Sequence, residues 1–239
     1  GESKTENLQP LFANLALGGF ACAHNGNLTN TISLKKKLVE TGSIFQTSSD
    51  TEIILQLVAR SMKEKLLDKL VDALTQIKGA YSLIILTNKK LIGIKDPYGI
   101  RPLVLGKKNG SPVLASETCA LDMIGAEYVR DIDNGEIVVI TNDGIESVKP
   151  FKKVKQRPCI FERIYFASPD SFINGKTVYT YRKALGEQLA IENNIDADVV
   201  VPIPDSGVSA AIGFSQKSKI PFELGIIRSH YVGRTFIEP

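Results

Sequence analysis

At 239 residues with 43% hydrophobic side chains, the chain can bury a substantial core as one large domain or two ordinary ones. Twenty-nine basic against 26 acidic residues leave a net charge of +3, too small to imply nucleic acid but enough to allow a local phosphate site. No apolar run reaches a membrane span, and Gly1-Glu2-Ser3-Lys4 opens with neither a signal-peptide core nor a methionine, so a soluble excerpt of a longer protein is expected, without membrane partners.

Residues 1–16 read as a surface segment entering the first strand. From Gly18 the pattern alternates, Phe20, Cys22 and His24 on one side and Ala21 and Ala23 on the other. Asn25-Gly26-Asn27 then reads as a tight polar turn into a helix. Such a turn can aim the Asn25 side-chain amide and the unscreened Gly26 N–H at a developing oxyanion, although on these residues alone an ordinary strand-to-helix turn is the simpler reading. Leu28, Ile32 and Val39 outline the inner face of the helix, Lys35 to Lys37 its wet face, and Gly42 its end.

Ser49 and Glu52 have capping-box spacing ahead of Ile53, Ile54, Leu57 and Val58, so a helix starts there. Asp50 is then a first-turn acid that complements the helix dipole, or a carboxylate that pairs with the ammonium of a bound amino acid. Leu66 to Ile77 repeat at helical spacing and Gly79 stands just past the end. Strands are expected over 80–87, 91–95, 102–106, 112–116 and 136–141, separated by turn-forming clusters. Periodicity alone supports only an α+β arrangement; two antiparallel sheets with two helices outside would use these elements well.

Lys95 to Leu103 (KDPYGIRPL) has turn chemistry throughout and reads as a structural corner. The basic run 149–157 reads as a linker between domains. Beyond it, a helix is expected over 180–194, a buried parallel strand over 198–204, a turn at Asp205-Ser206-Gly207, a helix over 208–217 and a further strand over 222–227. A strand, a Ser/Gly turn and a helix make a generic phosphate site, since the helix start presents free N–H groups, and the same residues read equally well as a plain βα turn. Cysteines 22, 119 and 159 form no CxxC pair, so a reducing cytosol is the expected setting, and a small buried thiol is the simplest reading of Cys159.

Several of these blocks resemble a known family. AHNGNLTN (residues 23–30) and SSDTE (48–52) resemble the glutaminase domain of class II glutamine amidotransferases, whose nucleophile is an N-terminal cysteine. YVGRTFI (231–237) narrows the resemblance to the amidophosphoribosyltransferase family; DPYGIRPL (96–103) and LASE (114–117) match blocks of its first domain, and CIFERIYFASPDS (159–171) resembles the opening of its second, with Ser168 where that pattern has arginine. The resemblance implies an α+β N-terminal-nucleophile hydrolase (αββα) domain over 1–150, then the start of an α/β type I phosphoribosyltransferase domain over 151–239.

As site residues it implies Asn25 and Gly26 for the oxyanion and Asp50 for the amino group of glutamine, with Arg101 shaping the glutamine end. Asp205, Ser206, Arg228, Tyr231, Gly233, Arg234 and Thr235 would hold phosphoribosylpyrophosphate, and Ser206 would face magnesium. In one branch Cys159 would be the first of four ligands of an iron–sulfur cluster. Ser229 and His230 replace an Asn-Arg pair found in part of the family.

The implied reaction moves glutamine-derived ammonia to phosphoribosylpyrophosphate, giving 5-phosphoribosylamine at the first step of purine synthesis. Purine nucleotides as feedback inhibitors, a homo-oligomer and a cytoplasmic or plastid location go with it. The N-terminal cysteine is expected upstream of Gly1 and the acidic phosphoribosyl-binding motif downstream of Pro239, which would leave the 239 residues inactive alone. A noncatalytic paralogue that binds phosphoribosylpyrophosphate or nucleotides is the alternative.

Overall fold

The computed structural model describes residues 4–229 and 231, and these fall into two compact units: residues up to 116 together with 124–158, and residues 117–123 together with those from 159 onward. Among the described residues no helix is long and apolar enough to cross a membrane.

The first unit begins with the hairpin β1 (Leu11–Leu15) and β2 (Gly18–Leu28), so the opening segment already contains a strand where the sequence suggested only surface chain. Helices α1 (Thr31–Glu40), α2 (Thr51–Arg60) and α3 (Leu66–Leu74) follow. Strands β3 (Gly79–Thr87), β4 (Leu91–Lys95), β5 (Val104–Lys108) and β6 (Ser111–Ala115) come next. A short helix, α4 (Thr118–Ile124), precedes β7 (Glu127–Asp131), β8 (Ile137–Thr141) and β9 (Gly144–Val148), and residues 117–123 cluster with the second unit.

One antiparallel sheet runs β1-β2-β3-β4-β8-β9 and a smaller one β6-β5-β7. Alternation decides which side chains face which layer. On β8, Ile137 and Val139 enter the core with Ile53, Ile54, Val58, Leu70 and Leu74 of α2 and α3, while Val138 and Ile140 enter a second core with Leu103, Leu105 and Ile132. The layers are therefore helices, larger sheet, smaller sheet. Each fully buried branched residue contributes about 1.5–3 kcal/mol.

Four local expectations are corrected within this unit. The strand does not turn at Asn25-Gly26-Asn27: β2 stays paired with β3 as far as Leu28, with Gly26 opposite Tyr81 and Asn27 opposite Ala80. Ile32 and Val39 are exposed, and α1 instead packs through Leu38 and Leu34, which lie one helical turn apart on a neighbouring face. The capping box does not form: Glu52 is buried and accepts from the Gln46 and Thr47 N–H groups (2.9 and 2.8 Å) and the Thr47 hydroxyl, tying the preceding loop to α2. Gly79 opens β3 rather than capping α3, at φ +131°.

The Lys95–Leu103 segment is a corner built on the buried Asp96 carboxylate, which accepts from the N–H groups of Tyr98 and Ile100 (2.9 and 3.0 Å). Residues 149–158 have no regular structure, and Arg157 donates its N–H to Tyr98 O (2.8 Å) with its guanidinium over the Tyr98 ring.

The second unit contains a π-helical turn (Glu162–Phe166), the small hairpin β10 (Phe172–Ile173) and β11 (Lys176–Thr177), and helices α5 (Val178–Glu192) and α6 (Val208–Ser218). Thr177 caps α5 by accepting the Thr180 N–H. Helices α5 and α6 pack backbone to backbone through Gly186 and Gly213, where an added Cβ would meet Ala210 O at 1.8 Å and Lys183 O at 2.0 Å. The buried Arg182 guanidinium donates to the carbonyls of Arg163 and Ala167 (2.9 and 2.8 Å).

Residues 198–204 and 222–227 are not full strands here. They share a single parallel bridge, Val200 to Phe222, and Val199, Val201 and Ile203 are exposed rather than buried, because no described strand covers their flanks.

Candidate active site

The end of β2 gathers the groups that could act on a small amide. His24 Nε2 lies 3.3 Å from Ala80 O, a carbonyl that can only accept, so Nε2 donates to it. Its Nδ1 lies 3.4 Å from both Asp50 Oδ1 and the Thr51 hydroxyl. Asp50 stands at the start of α2 without capping it; Oδ2 accepts the Leu28 N–H at 2.9 Å. Burial pushes the Asp50 carboxyl up, but hydrogen bonds from His24 and the Leu28 N–H outweigh it and hold the group below its ordinary value.

Asn25 is the next residue along β2. Its Oδ1 accepts from Nε and Nη2 of Arg101 (3.1 and 2.6 Å), and its Nδ2 lies 3.4 Å from the Ser116 hydroxyl. The N–H of His24 points to Gln9 Oε1 and that of Leu28 to Asp50, both away from β3. Alternation along the strand directs the Gly26 N–H to the same edge, between those two. Glycine is required there: φ is +149°, and a Cβ would meet Ala80 O at 2.1 Å.

The structure thus brings Asn25, Gly26, Asp50 and Arg101 to one end of β2. His24 joins them through two contacts on Nδ1 that the sequence reading did not assign, although its place beside Asn25 was the available signal. Glu117 of the LASE motif lies outside this group. It accepts from the Ser168 N–H and the Ser171 hydroxyl (both 2.8 Å) in the second unit, and the Ser168 hydroxyl donates to Asp170.

In the second unit Asp205 and Ser206 precede α6, and Arg228 Nε lies 3.2 Å from Asp205 Oδ2, both side chains largely in solvent. Tyr231 is fully exposed. Gly233, Arg234, Thr235 and His230 lie outside the described residues.

Cys159 is partly buried, and no group of three His, Cys, Asp or Glu side chains that could hold a metal occurs among the described residues. Cys159 alone would supply one of the four thiolates such an iron–sulfur cluster needs. Asp205 and Ser206 do fit magnesium, which takes few protein oxygens and completes its shell with water and substrate phosphate.

This is a strand-end amide and carboxylate site on a layered α/β/β unit, and the chain belongs to the glutamine amidotransferase domain family, which matches residues 2–123, just over half its length. More particularly, it is similar to amidophosphoribosyltransferases. It is 53% identical to that of Rhizobium etli over all of this chain and 49% of the relative. It is 49% identical to the chloroplastic amidophosphoribosyltransferase 1 of Arabidopsis thaliana, over all of this chain and 42% of that one. The solved glutamine phosphoribosylpyrophosphate amidotransferase of Bacillus subtilis, complexed with ADP and GMP, superposes with TM-score 0.92 at 46% identity, covering 98% of this chain and 52% of that one. The chain spans about half the length of the curated relatives it matches.

Proposed function

We propose that these residues are the central part of an amidophosphoribosyltransferase, with an N-terminal-nucleophile (αββα) glutaminase domain leading into a type I phosphoribosyltransferase domain. The observation that carries the reading is the pairing of an amide donor, Asn25, with an ionised carboxylate, Asp50, at one end of β2.

In this reading the ionised Asp50 takes the α-ammonium of glutamine. A cysteine thiolate on a segment N-terminal to these residues attacks the carboxamide carbon, and the carbonyl electron pair moves onto oxygen. Asn25 Nδ2 and the Gly26 N–H stabilise that oxyanion, a contribution of about 3 kcal/mol per donor. Its collapse, with the proton given up by the cysteine thiol delivered to the amide nitrogen, expels ammonia and leaves a thioester, which water hydrolyses to glutamate and free thiol.

Ammonia then attacks C1 of phosphoribosylpyrophosphate; the C1–O bond breaks, pyrophosphate leaves with the electron pair, and the new amine loses a proton. Asp205 and Ser206 would face the pyrophosphate with Arg228, Tyr231, Gly233, Arg234 and Thr235. Magnesium, held at Ser206 and Asp205 with the phosphates, would neutralise charge on the leaving group. Cys159 takes no part in any step.

Purine nucleotides are the proposed regulators, in keeping with the ADP and GMP bound to the Bacillus subtilis enzyme. A homo-oligomer in a reducing compartment, cytosol or plastid, is proposed with them, and the three unpaired cysteines suit that setting.

The test uses the full-length polypeptide with amide-labelled 15N-glutamine and phosphoribosylpyrophosphate. Glutamate and pyrophosphate should appear in equal amounts, with the label in phosphoribosylamine. Glutamine left intact in the presence of phosphoribosylpyrophosphate would refute the proposal.

A further inference from the structure

Arginine carries only N–H donors, so the end of the Asn25 amide that faces Arg101 is its oxygen. Two guanidinium nitrogens, Nε at 3.1 Å and Nη2 at 2.6 Å, close on that single Oδ1. The amide cannot rotate without placing its NH2 group against a cation. Its Nδ2 is therefore fixed toward the opposite side, where the Ser116 hydroxyl at 3.4 Å is a long partner.

Arg101 is itself built into place. Ser82, the residue directly opposite Asn25 on β3, lies with its hydroxyl 3.1 Å from Arg101 O and 3.0 Å from Pro102 O. The buried Asp96 carboxylate fixes the preceding turn through the Tyr98 and Ile100 N–H groups. The rung that carries Asn25 thus also anchors the backbone of the residue that orients it.

We propose that Arg101 is a positioning residue for glutamine hydrolysis: it locks the Asn25 amide with Nδ2 toward the reacting carbonyl and, through a charge-assisted bond, draws electron density from the amide so that Nδ2–H is a stronger donor. This rests on the reading of Asn25 as an oxyanion donor. Since the oxyanion exists only after attack, loss of Arg101 slows turnover rather than weakening glutamine binding. Asp50 sets the binding, through contacts that do not include Arg101.

The test is a double-mutant cycle on the full-length polypeptide, reading kcat and KM for glutamine hydrolysis. Arg101→Met is expected to lower kcat roughly 10- to 100-fold with KM nearly unchanged. In an Asn25→Ala background the same substitution should have almost no further effect. Arg101→Lys, which restores a single donor, should recover part of the rate, and it carries the cycle if Arg101→Met does not fold. Asn25→Asp keeps the acceptor for Arg101 and removes the donor, so it should be as slow as Asn25→Ala yet at least as stable as the parent.

An Arg101 loss that persists in full when Asn25 is already alanine, or that falls on KM, would overturn the positioning role. A glutaminase rate unaffected by Asn25→Ala would instead overturn the oxyanion reading beneath it.

Discussion

The carboxylate of Asp50 ends 3.4 Å from Nδ1 of His24 instead of capping the helix that begins at the next residue. Its second oxygen holds the Leu28 N–H, so the helix start and the end of β2 are joined through this one side chain. An acid kept ionised in that position is suited to an ammonium group. Asp50→Asn should raise KM for glutamine by roughly 10- to 100-fold, the worth of about 1.5–3 kcal/mol for a charged hydrogen bond, while kcat changes little. Steady-state glutaminase kinetics on the full-length polypeptide test this; an unchanged KM would remove Asp50 from the binding role.

Gly26→Ala should destabilise the first unit by at least about 2 kcal/mol, since both the backbone angle and the Ala80 carbonyl oppose a side chain there. Urea unfolding of parent and variant provides the comparison. A shift within about 0.5 kcal/mol would contradict the close approach of β2 and β3 at this rung.

Glu136 is buried and held by the Arg130 fork (2.6 and 2.9 Å), the Ser147 hydroxyl and the Asp133 N–H (both 2.6 Å). Burial raises its pKa, and these bonds more than reverse that, lowering it from 4.5 to about 2. A depressed carboxyl contributes stability above its unfolded value, and the contribution fades as pH falls from about 4.5 toward 2. With Arg130 partly in solvent, that contribution is about 2 kcal/mol at neutral pH. Glu136→Gln should therefore lie below the parent by about this amount at pH 7, with the gap narrowing through that acid window. Denaturation curves at several pH values read it, and a gap independent of pH would contradict it.

The Cys22 thiol is fully buried on β2, and burial pushes it up to about 12. Iodoacetamide at pH 8 should therefore modify Cys159, which is partly exposed, well before Cys22. Mass spectrometry after timed labelling follows both sites, and early modification of Cys22 would show that β2 opens readily.

Sequence pattern carried the main strands of the first unit because β3, β4 and β8 alternate between two cores and are rich in branched residues. Distinctive blocks singled out Asn25, Gly26 and Asp50, and the structure brings these three to one end of β2. Pattern missed β1, β7 and β9 because strands at or near the sheet edges bury too little to alternate clearly; β7 and β9 are mostly exposed. The turn assigned at Asn25-Gly26-Asn27 failed for a related reason. Polar residues with a glycine look like a turn, but a glycine is also what a strand needs where a neighbouring carbonyl approaches to 2.1 Å of the missing Cβ. The link from His24 to Asp50 spans 26 positions and depends on how β2 meets α2, which no local pattern encodes.

The most direct test of the account is the rate of glutamine hydrolysis by Asn25→Ala in the full-length polypeptide, with ammonia-supported phosphoribosylamine formation measured alongside. The account predicts a loss of roughly 100- to 1,000-fold in glutaminase kcat, with ammonia-supported synthesis retained. An unchanged glutaminase rate, or an equal loss of both activities, would contradict it.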